Sequence, residues 1–238
     1  MSYVYFIRHA QAGSRDNYDL LSDLGKQQAR LLGQHMAEHG IDLDAVFCGD
    51  MRRQRETAEI ATEELARSGH GPRDVTVDNR WNEFSLISVY RAIAGRMMAE
   101  NPEFECDYKE MQDMVRRDPH ATGGATGRCD AAIIRAWIEN RYPDYDGESW
   151  MAFKARVQAC SRDLQLKEYP RAVAVFTSAT PVAIQAAIAL GIPDERLLSI
   201  LGVIYNSSVT VIRSRDPEPR LFTFNATPHL KPSQRTFR

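Results

Sequence analysis

Near the start of the chain five residues, Tyr3-Val4-Tyr5-Phe6-Ile7, are apolar or aromatic, and Arg8-His9-Ala10 follow with no spacer. A run of this kind, continuous and rich in β-branched and aromatic side chains, reads as a central strand of a parallel sheet. Such sheets bind ligands just beyond the carboxyl ends of their strands, and Arg8 and His9 fall at that edge. Arginine presents a fixed fork of donors suited to phosphate oxygens, and a neutral imidazole beside it is able to attack phosphorus. The same residues also suit a strand that merely stops at polar positions, so the choice rests on what the rest of the chain brings to this edge.

The pattern that follows is βαβαβ. Ser22 serves as N-cap for a helix to about His39, with Leu24, Leu31, Leu32 and Met36 at helical spacing and Gly40 as the stop. A strand over Asp44 to Cys48, a helix over Met51 to Arg67 and a short strand at Val75 to Val77 come next. From Phe84 to Asp146 the alternation breaks: the segment is rich in Met and acids, Pro102 and Pro119 interrupt it, and Thr122 to Gly127 is a Gly-rich turn region. We read 84–146 as a mostly helical insertion covering the site, with Gly123 to Gly127 as a hinge or exposed loop and Met97, Met98, Met111 and Met114 as adaptable apolar groups, some of them serving core packing. The alternation resumes with a helix from Ser149 to Leu166 and a strand from Ala172 to Thr177. Thr180 is then the expected N-cap and Pro181 the first residue of a helix to Leu190. Strands at Val209 to Arg213 and Leu221 to Phe224 close the sheet, and Lys231 to Arg238 reads as a polar tail. The whole predicts an α/β three-layer sandwich with a mostly parallel central sheet, one domain over residues 1–238.

Bulk properties narrow the function. A formal net charge of -2 leaves no electrostatic footprint for nucleic acid, and no segment approaches the length of apolar chain that a membrane span needs. No secretory signal is visible, which places the protein in the cytoplasm. Cys48, Cys106, Cys129 and Cys160 are widely separated and form no C-x-x-C pair, as suits separate reduced thiols. Nothing in the composition points to oligomeric state.

Three strand ends converge on one rim in this scheme: Arg8 and His9, then Cys48 to Arg53, then Ser178 to Pro181. The helix after Ser178 aims its free N–H groups and positive dipole end there, which favours an anion. Arg52, Arg53 and Arg55 open another helix, an unfavourable place for cations unless an anion neutralises them. Two other chemistries compete with phosphate. His35-Met36-Ala37-Glu38-His39 matches the H-x-x-E-H zinc signature, but it lies at a helix end next to Gly40, where partly buried structural histidines are the simpler reading; no metal is expected. A serine nucleophile elbow at Ser178 would need Gly at positions 176 and 180, which hold Phe176 and Thr180.

At this point the residues resemble a family. Phe6-Ile7-Arg8-His9-Ala10 is similar to the R-H-G signature of the histidine phosphatase superfamily, which includes the phosphoglycerate mutases. Leu21 to Ala29 is similar to its L-T-x-x-G-x-x-Q-A segment, and Phe47 to Ala58 to its S-S-P-L-x-R-A-x-Q-T-A segment. Gly147-Glu148-Ser149 and Asn225 to Leu230 also fit. The resemblance implies a phosphoglycerate mutase-like fold and a metal-independent phosphomonoesterase acting through a phosphohistidine on His9, without cofactor, on a small phosphorylated substrate. It makes Arg53 the second phosphate-binding Arg beside Arg8, and Glu83 the acid/base carboxylate. There are departures. Ala10 replaces Gly, Gly49-Asp50 replaces Ser-Pro, and Ser178 stands where the second catalytic His belongs. The longer mutase signatures are missing from Gln11 to Leu20. Ser178 is left as a neutral donor to phosphate, and the expected enzyme is slow; the alternative is a non-catalytic member of the same fold that binds a phosphorylated ligand.

Overall fold

Runs of three to seven residues supply the strands, and the computed structural model places six of them in one sheet. It describes residues 3–13, 19–72, 74–118, 123–167, 169–213 and 219–237. In chain order the strands are β1 (Tyr3–Arg8), β2 (Ala45–Cys48), β3 (Val75–Val77), β4 (Ala172–Thr177), β5 (Val209–Arg213) and β6 (Arg220–Ala226). Across the sheet they run β3-β2-β4-β1-β5-β6. Pairing is parallel from β3 to β1 and antiparallel from β1 through β5 to β6, so the sheet is mixed but mostly parallel, as the sequence predicts. β1 and β4 lie in the middle, which is why β4 is buried at every position and Phe6 and Ile7 of β1 are buried on opposite faces.

Chain Met1–Glu83 and Arg156–Arg238 form one compact unit around this sheet. Helices α1 (Asp23–Glu38) and α2 (Arg52–Arg67) cover one face: Leu32, Met36, Ala58, Ala61 and Leu65 pack against Ile7, Val46, Cys48, Ala174 and Phe176. Ser22 caps α1, its hydroxyl accepting from the Gly25 N–H at 2.9 Å, a bond of the kind that contributes about 1 kcal/mol. A side chain at Gly25 would meet the Gln11 carbonyl oxygen at 2.1 Å, so the absence of Cβ is what lets the loop after β1 lie on the first turn of α1.

The second unit, Phe84–Ala155, holds α3 (Leu86–Glu100), α4 (Pro102–Arg117), α5 (Ala125–Ile138) and the start of α6 (Trp150–Leu166). Phe84 stacks on Trp137 with ring centroids 4.3 Å apart, and Trp150 and Phe153 complete the cluster. Met97 and Met111 are buried in packing. The expected loop over Gly123 to Gly127 is largely helical. Gly124, with φ +58, is the N-cap, and Ala125 to Gly127 are the first turn of α5; Pro119 and Thr122 lie outside the described residues.

Two further expectations are corrected. The helix after β4, α7 (Ala179–Leu190), starts two residues early, with Ser178 rather than Thr180 as N-cap and Pro181 inside the first turn, where its missing N–H costs nothing. Lys231 to Thr236 is not a free tail. Gln28 donates to the Gln234 carbonyl at 2.7 Å and the Thr236 hydroxyl at 3.1 Å, and the Asn206 N–H donates to Thr236 at 2.8 Å. Buried amides that would otherwise lack acceptors draw the segment in. The last α-helix, α8 (Leu198–Leu201), is a single turn.

Candidate active site

The parallel register puts the carboxyl ends of β1, β4 and β2 side by side: Arg8 pairs with Thr177 and Cys48 with Phe176. One residue further along, the His9 N–H donates to the Thr177 carbonyl at 2.8 Å, which sets His9 beside Ser178. His9 is 2 % exposed. Its Nδ1 lies 2.8 Å from the Ala10 carbonyl, and its Nε2 is 3.1 Å from Arg53 Nε. A carbonyl only accepts and a guanidinium only donates, so both partners demand the same tautomer: the proton on Nδ1 and the lone pair on Nε2. Burial above all, then the charges of Arg53 and Arg8, hold the His9 pKa well below 6.5 against the opposing pull of the Ala10 carbonyl. At neutral pH the ring is an uncharged base with its reactive nitrogen toward the cations. Ala10 itself has no positive φ, so replacing Gly strains nothing.

Arg8 and Arg53 are both buried charges. Arg8 donates to the Ile204 carbonyl, while the second residue of α2 is Arg53. Arg52 and Arg55 point to solvent, so only one of the three arginines at this helix start faces the site. Asp19 was not singled out from sequence. Its carboxylate accepts from Arg53 Nη1 at 2.9 Å and from the Arg52 N–H at 3.2 Å, which places an anion at the uncapped N-terminus of α2. A phosphate would draw on the same donors. Replacing Asp19 by Asn should therefore tighten competitive inhibition by inorganic phosphate several-fold, a modest effect because Asp19 is 49 % exposed. An unchanged inhibition constant would mean that Asp19 and the anion do not compete.

Ser178 is 1 % exposed and its hydroxyl accepts from Gln54 Nε2 at 2.8 Å. Its side chain makes no cap bond to α7, which is buried from Thr180 to Ala187. Glu83 lies across from it, with Oε2 accepting from the Thr180 N–H at 3.1 Å in the first turn of α7. The stretch before Glu83 is tied to the same strand end, because the Trp81 carbonyl accepts from the Thr177 hydroxyl at 2.5 Å. The fold thus brings together all five residues singled out from sequence: Arg8, His9, Arg53, Glu83 and Ser178.

Several supporting residues escaped sequence reasoning. Thr57 accepts from the Ala10 N–H at 3.0 Å and holds the loop after His9. The Asn206 side chain donates to the His9 carbonyl at 3.2 Å, and Ser207, at φ +59, donates its N–H to Arg8 and His9 carbonyls. The polar run Asn206-Ser207-Ser208 immediately before an apolar strand was the available signal. Gly49 also has a physical reason. A Cβ there would lie 1.9 Å from Gln54 Oε1 and 2.5 Å from Asn82 Oδ1, so the glycine opens the space that Gln54 uses to reach Ser178. Asp50, the other departure beside it, is exposed and takes a hydrogen bond from Asn82 instead of facing His9.

Several known proteins resemble this chain. The mitochondrial serine/threonine-protein phosphatase Pgam5 of Drosophila grimshawi is 38% identical over 66 residues, 26% of this chain and 23% of its own length. That of Drosophila ananassae is 26% identical over 151 residues, 62% of this chain and 44% of its own. The chain therefore matches less than half the length of these relatives. Among solved structures, Bacillus stearothermophilus YhfR superimposes with a TM-score of 0.65 at 17% identity, covering 96% of this chain and 99% of its own. A mycobacterial glucosyl-3-phosphoglycerate phosphatase in complex with inorganic phosphate gives 0.62 at 21% identity, covering 96% and 99%. A phosphoserine phosphatase mutant from Entamoeba histolytica gives 0.60 at 15% identity, covering 97% and 100%. These neighbours share the phosphoglycerate mutase-like α/β fold. The profile of the histidine phosphatase superfamily (branch 1) matches residues 4–127 and 105–227, and the chain belongs to that superfamily.

Proposed function

We propose that the protein is a phosphomonoesterase that works through a phosphohistidine on His9 and needs no metal for the chemical step. The observation that carries this reading is the fixed tautomer of His9, whose Nε2 lone pair is held beside Arg53 in a buried, uncharged ring. Phosphoryl transfer needs positioning and neutralisation of the equatorial oxygens more than covalent assistance, and two buried guanidiniums with the N-terminus of α7 can supply both. When a phosphate ester takes over the Arg53 donors, Nε2 is released to attack phosphorus. The P–O bond to the leaving group breaks, and protonated Glu83 gives its proton to the departing oxygen. Water then attacks the phosphohistidine, returns a proton to Glu83 and leaves inorganic phosphate with free His9.

The substrate class proposed is a small phosphomonoester, in keeping with the phosphatases among the structural neighbours. We assign the choice of leaving group to the insertion 84–146. The separate thiols suit a reducing compartment such as the cytoplasm. Quenching a single turnover of a labelled aryl phosphate should trap an acid-labile, base-stable adduct on His9. Turnover without that adduct would refute the phosphohistidine.

A second reading, a phosphate-binding protein without turnover, is favoured by one observation: a neutral hydroxyl, already engaged by Gln54, occupies position 178. Under our reading Ser178 still donates its own proton to a phosphoryl oxygen, and the enzyme is slow. Ser178→Ala should then lower the single-turnover rate about tenfold, the worth of one neutral hydrogen bond of roughly 1–1.5 kcal/mol. It should also lower the melting temperature, since Gln54 loses its short acceptor. Ser178→His does not restore speed by itself, because the Gln54 amide fills the space a ring would need; it should do so only when Gln54 is shortened to Ala. Binding of phosphate with no hydrolysis by wild type would establish the second reading.

A further inference from the structure

The H-x-x-E-H pattern at the end of α1 acquires a partner in the fold that its spacing does not reveal. His35, Glu38 and His39 each offer a ligand atom, all within 4.8 Å of one another. His229, far away in sequence, brings a third imidazole to them: its ring centroid is 6.1 Å from that of His35, and those of His35 and His39 are 4.0 Å apart. Rings that share one tetrahedral ion have centroids ~5 Å apart for metal–nitrogen bonds of about 2 Å, a spacing between the two seen around His35.

The hydrogen bonds around these rings leave lone pairs where an ion would need them. His39 Nδ1 lies 2.9 Å from the His35 carbonyl, which can only accept, so His39 is protonated there and its Nε2 is a free base. The Ser207 hydroxyl lies 2.9 Å from His229 Nε2 and 3.4 Å from the Gln28 carbonyl. With the hydroxyl proton on Gln28, His229 Nε2 is the donor and the lone pair falls on His229 Nδ1. That Nδ1 is buried and has no hydrogen-bond partner. A buried acceptor left alone asks for an explanation, and a ligating histidine whose other nitrogen is fixed by a hydroxyl or carbonyl is one.

We propose that His35, His39 and His229, with the Glu38 carboxylate, form a binding site for one divalent transition-metal ion of the zinc class, away from His9 and structural in role. Imidazole-rich sets select such ions over magnesium or calcium, and the negative end of α1 favours a cation. An ion here would clamp the segment around His229 onto α1. Ser207 connects the clamp to the site, since it touches His229 through its hydroxyl and the Arg8 and His9 carbonyls through its N–H.

The test uses the untagged full chain and Co²⁺ as probe. We expect saturable uptake of one Co²⁺ per chain with the intense visible absorption of four-coordinate cobalt, and a rise in melting temperature on loading. His39→Gln, at an exposed position that does not threaten folding, and His229→Gln should each weaken uptake at least tenfold, and His70→Gln should leave it unchanged. Aryl phosphate hydrolysis by the metal-free protein should persist, which keeps this proposal separate from the role of His9. Absence of saturable uptake by wild type, or equal uptake by His39→Gln, would leave these as structural histidines only.

Discussion

Alanine at position 9 should lower kcat/KM for an aryl phosphate by about 10⁴-fold or more, the scale on which enzymes lose activity when their nucleophile is removed. The expectation rests on geometry. His9 is the buried imidazole whose two nitrogens are committed in opposite senses, with a proton toward Ala10 and a lone pair toward Arg53. Of the residues singled out around it, Ser178 is engaged by Gln54 and Glu83 by the α7 N-terminus, so neither is set up to attack in its place. Arg8, Arg53 and the helix N-terminus survive the substitution and can still polarise a phosphate for slow attack by water. Inhibition by inorganic phosphate should therefore change only a few-fold while turnover collapses. That split is the useful readout, because a misfolded variant would lose both. Near-wild-type hydrolysis by His9→Ala would end the assignment, whatever the family resemblance.

How far this site could be read from the sequence depended on whether a residue's role is local. Strand β1 and its terminal Arg8-His9 were legible because a buried strand announces itself by composition, and Ser22 because an N-cap acts within one turn. Residues whose function is set by a partner across the chain were not. Gln54 sits in an ordinary helical turn, and only the meeting of α2 with the end of β4 gives it Ser178 to hold. Asp19 lies in a loop with no pattern, yet its carboxylate accepts from both Arg53 and the Arg52 N–H. The same blindness produced the errors. Thr180-Pro181 is a standard helix start, but hydrogen bonding after β4 begins the helix at Ala179, and Thr180 gives its N–H to Glu83. Lys231 to Arg238 is polar and looked free, whereas the buried amides of Gln28 and Asn206 need its carbonyls.

Arg53→Ala should produce the second large effect, and its signature is a pH profile. Removing a guanidinium that neutralises the transferring group costs about 10³-fold in rate, in the range found for arginines that act on phosphoryl transfer. Binding of inorganic phosphate should weaken with it. Arg55→Ala, one helical position away from the site and exposed, should do neither. The pH dependence follows from His9. Its pKa is held well below 6.5 by burial first, then by Arg53, then by Arg8. The nucleophile must be neutral, so kcat/KM falls on the acid side only as pH drops through that depressed value. Without Arg53 the ring loses one of the two charges that oppose its protonation, its pKa rises, and the acid limb moves to higher pH. The shift is partial, because burial and Arg8 remain. Ionisation of the substrate phosphate also contributes to the acid limb, but equally in both proteins, so the difference between the two profiles isolates His9. An acid limb that stays put in Arg53→Ala, despite a large loss in rate, would show that Arg53 serves the phosphate alone and that the lone pair of His9 is set up by other groups.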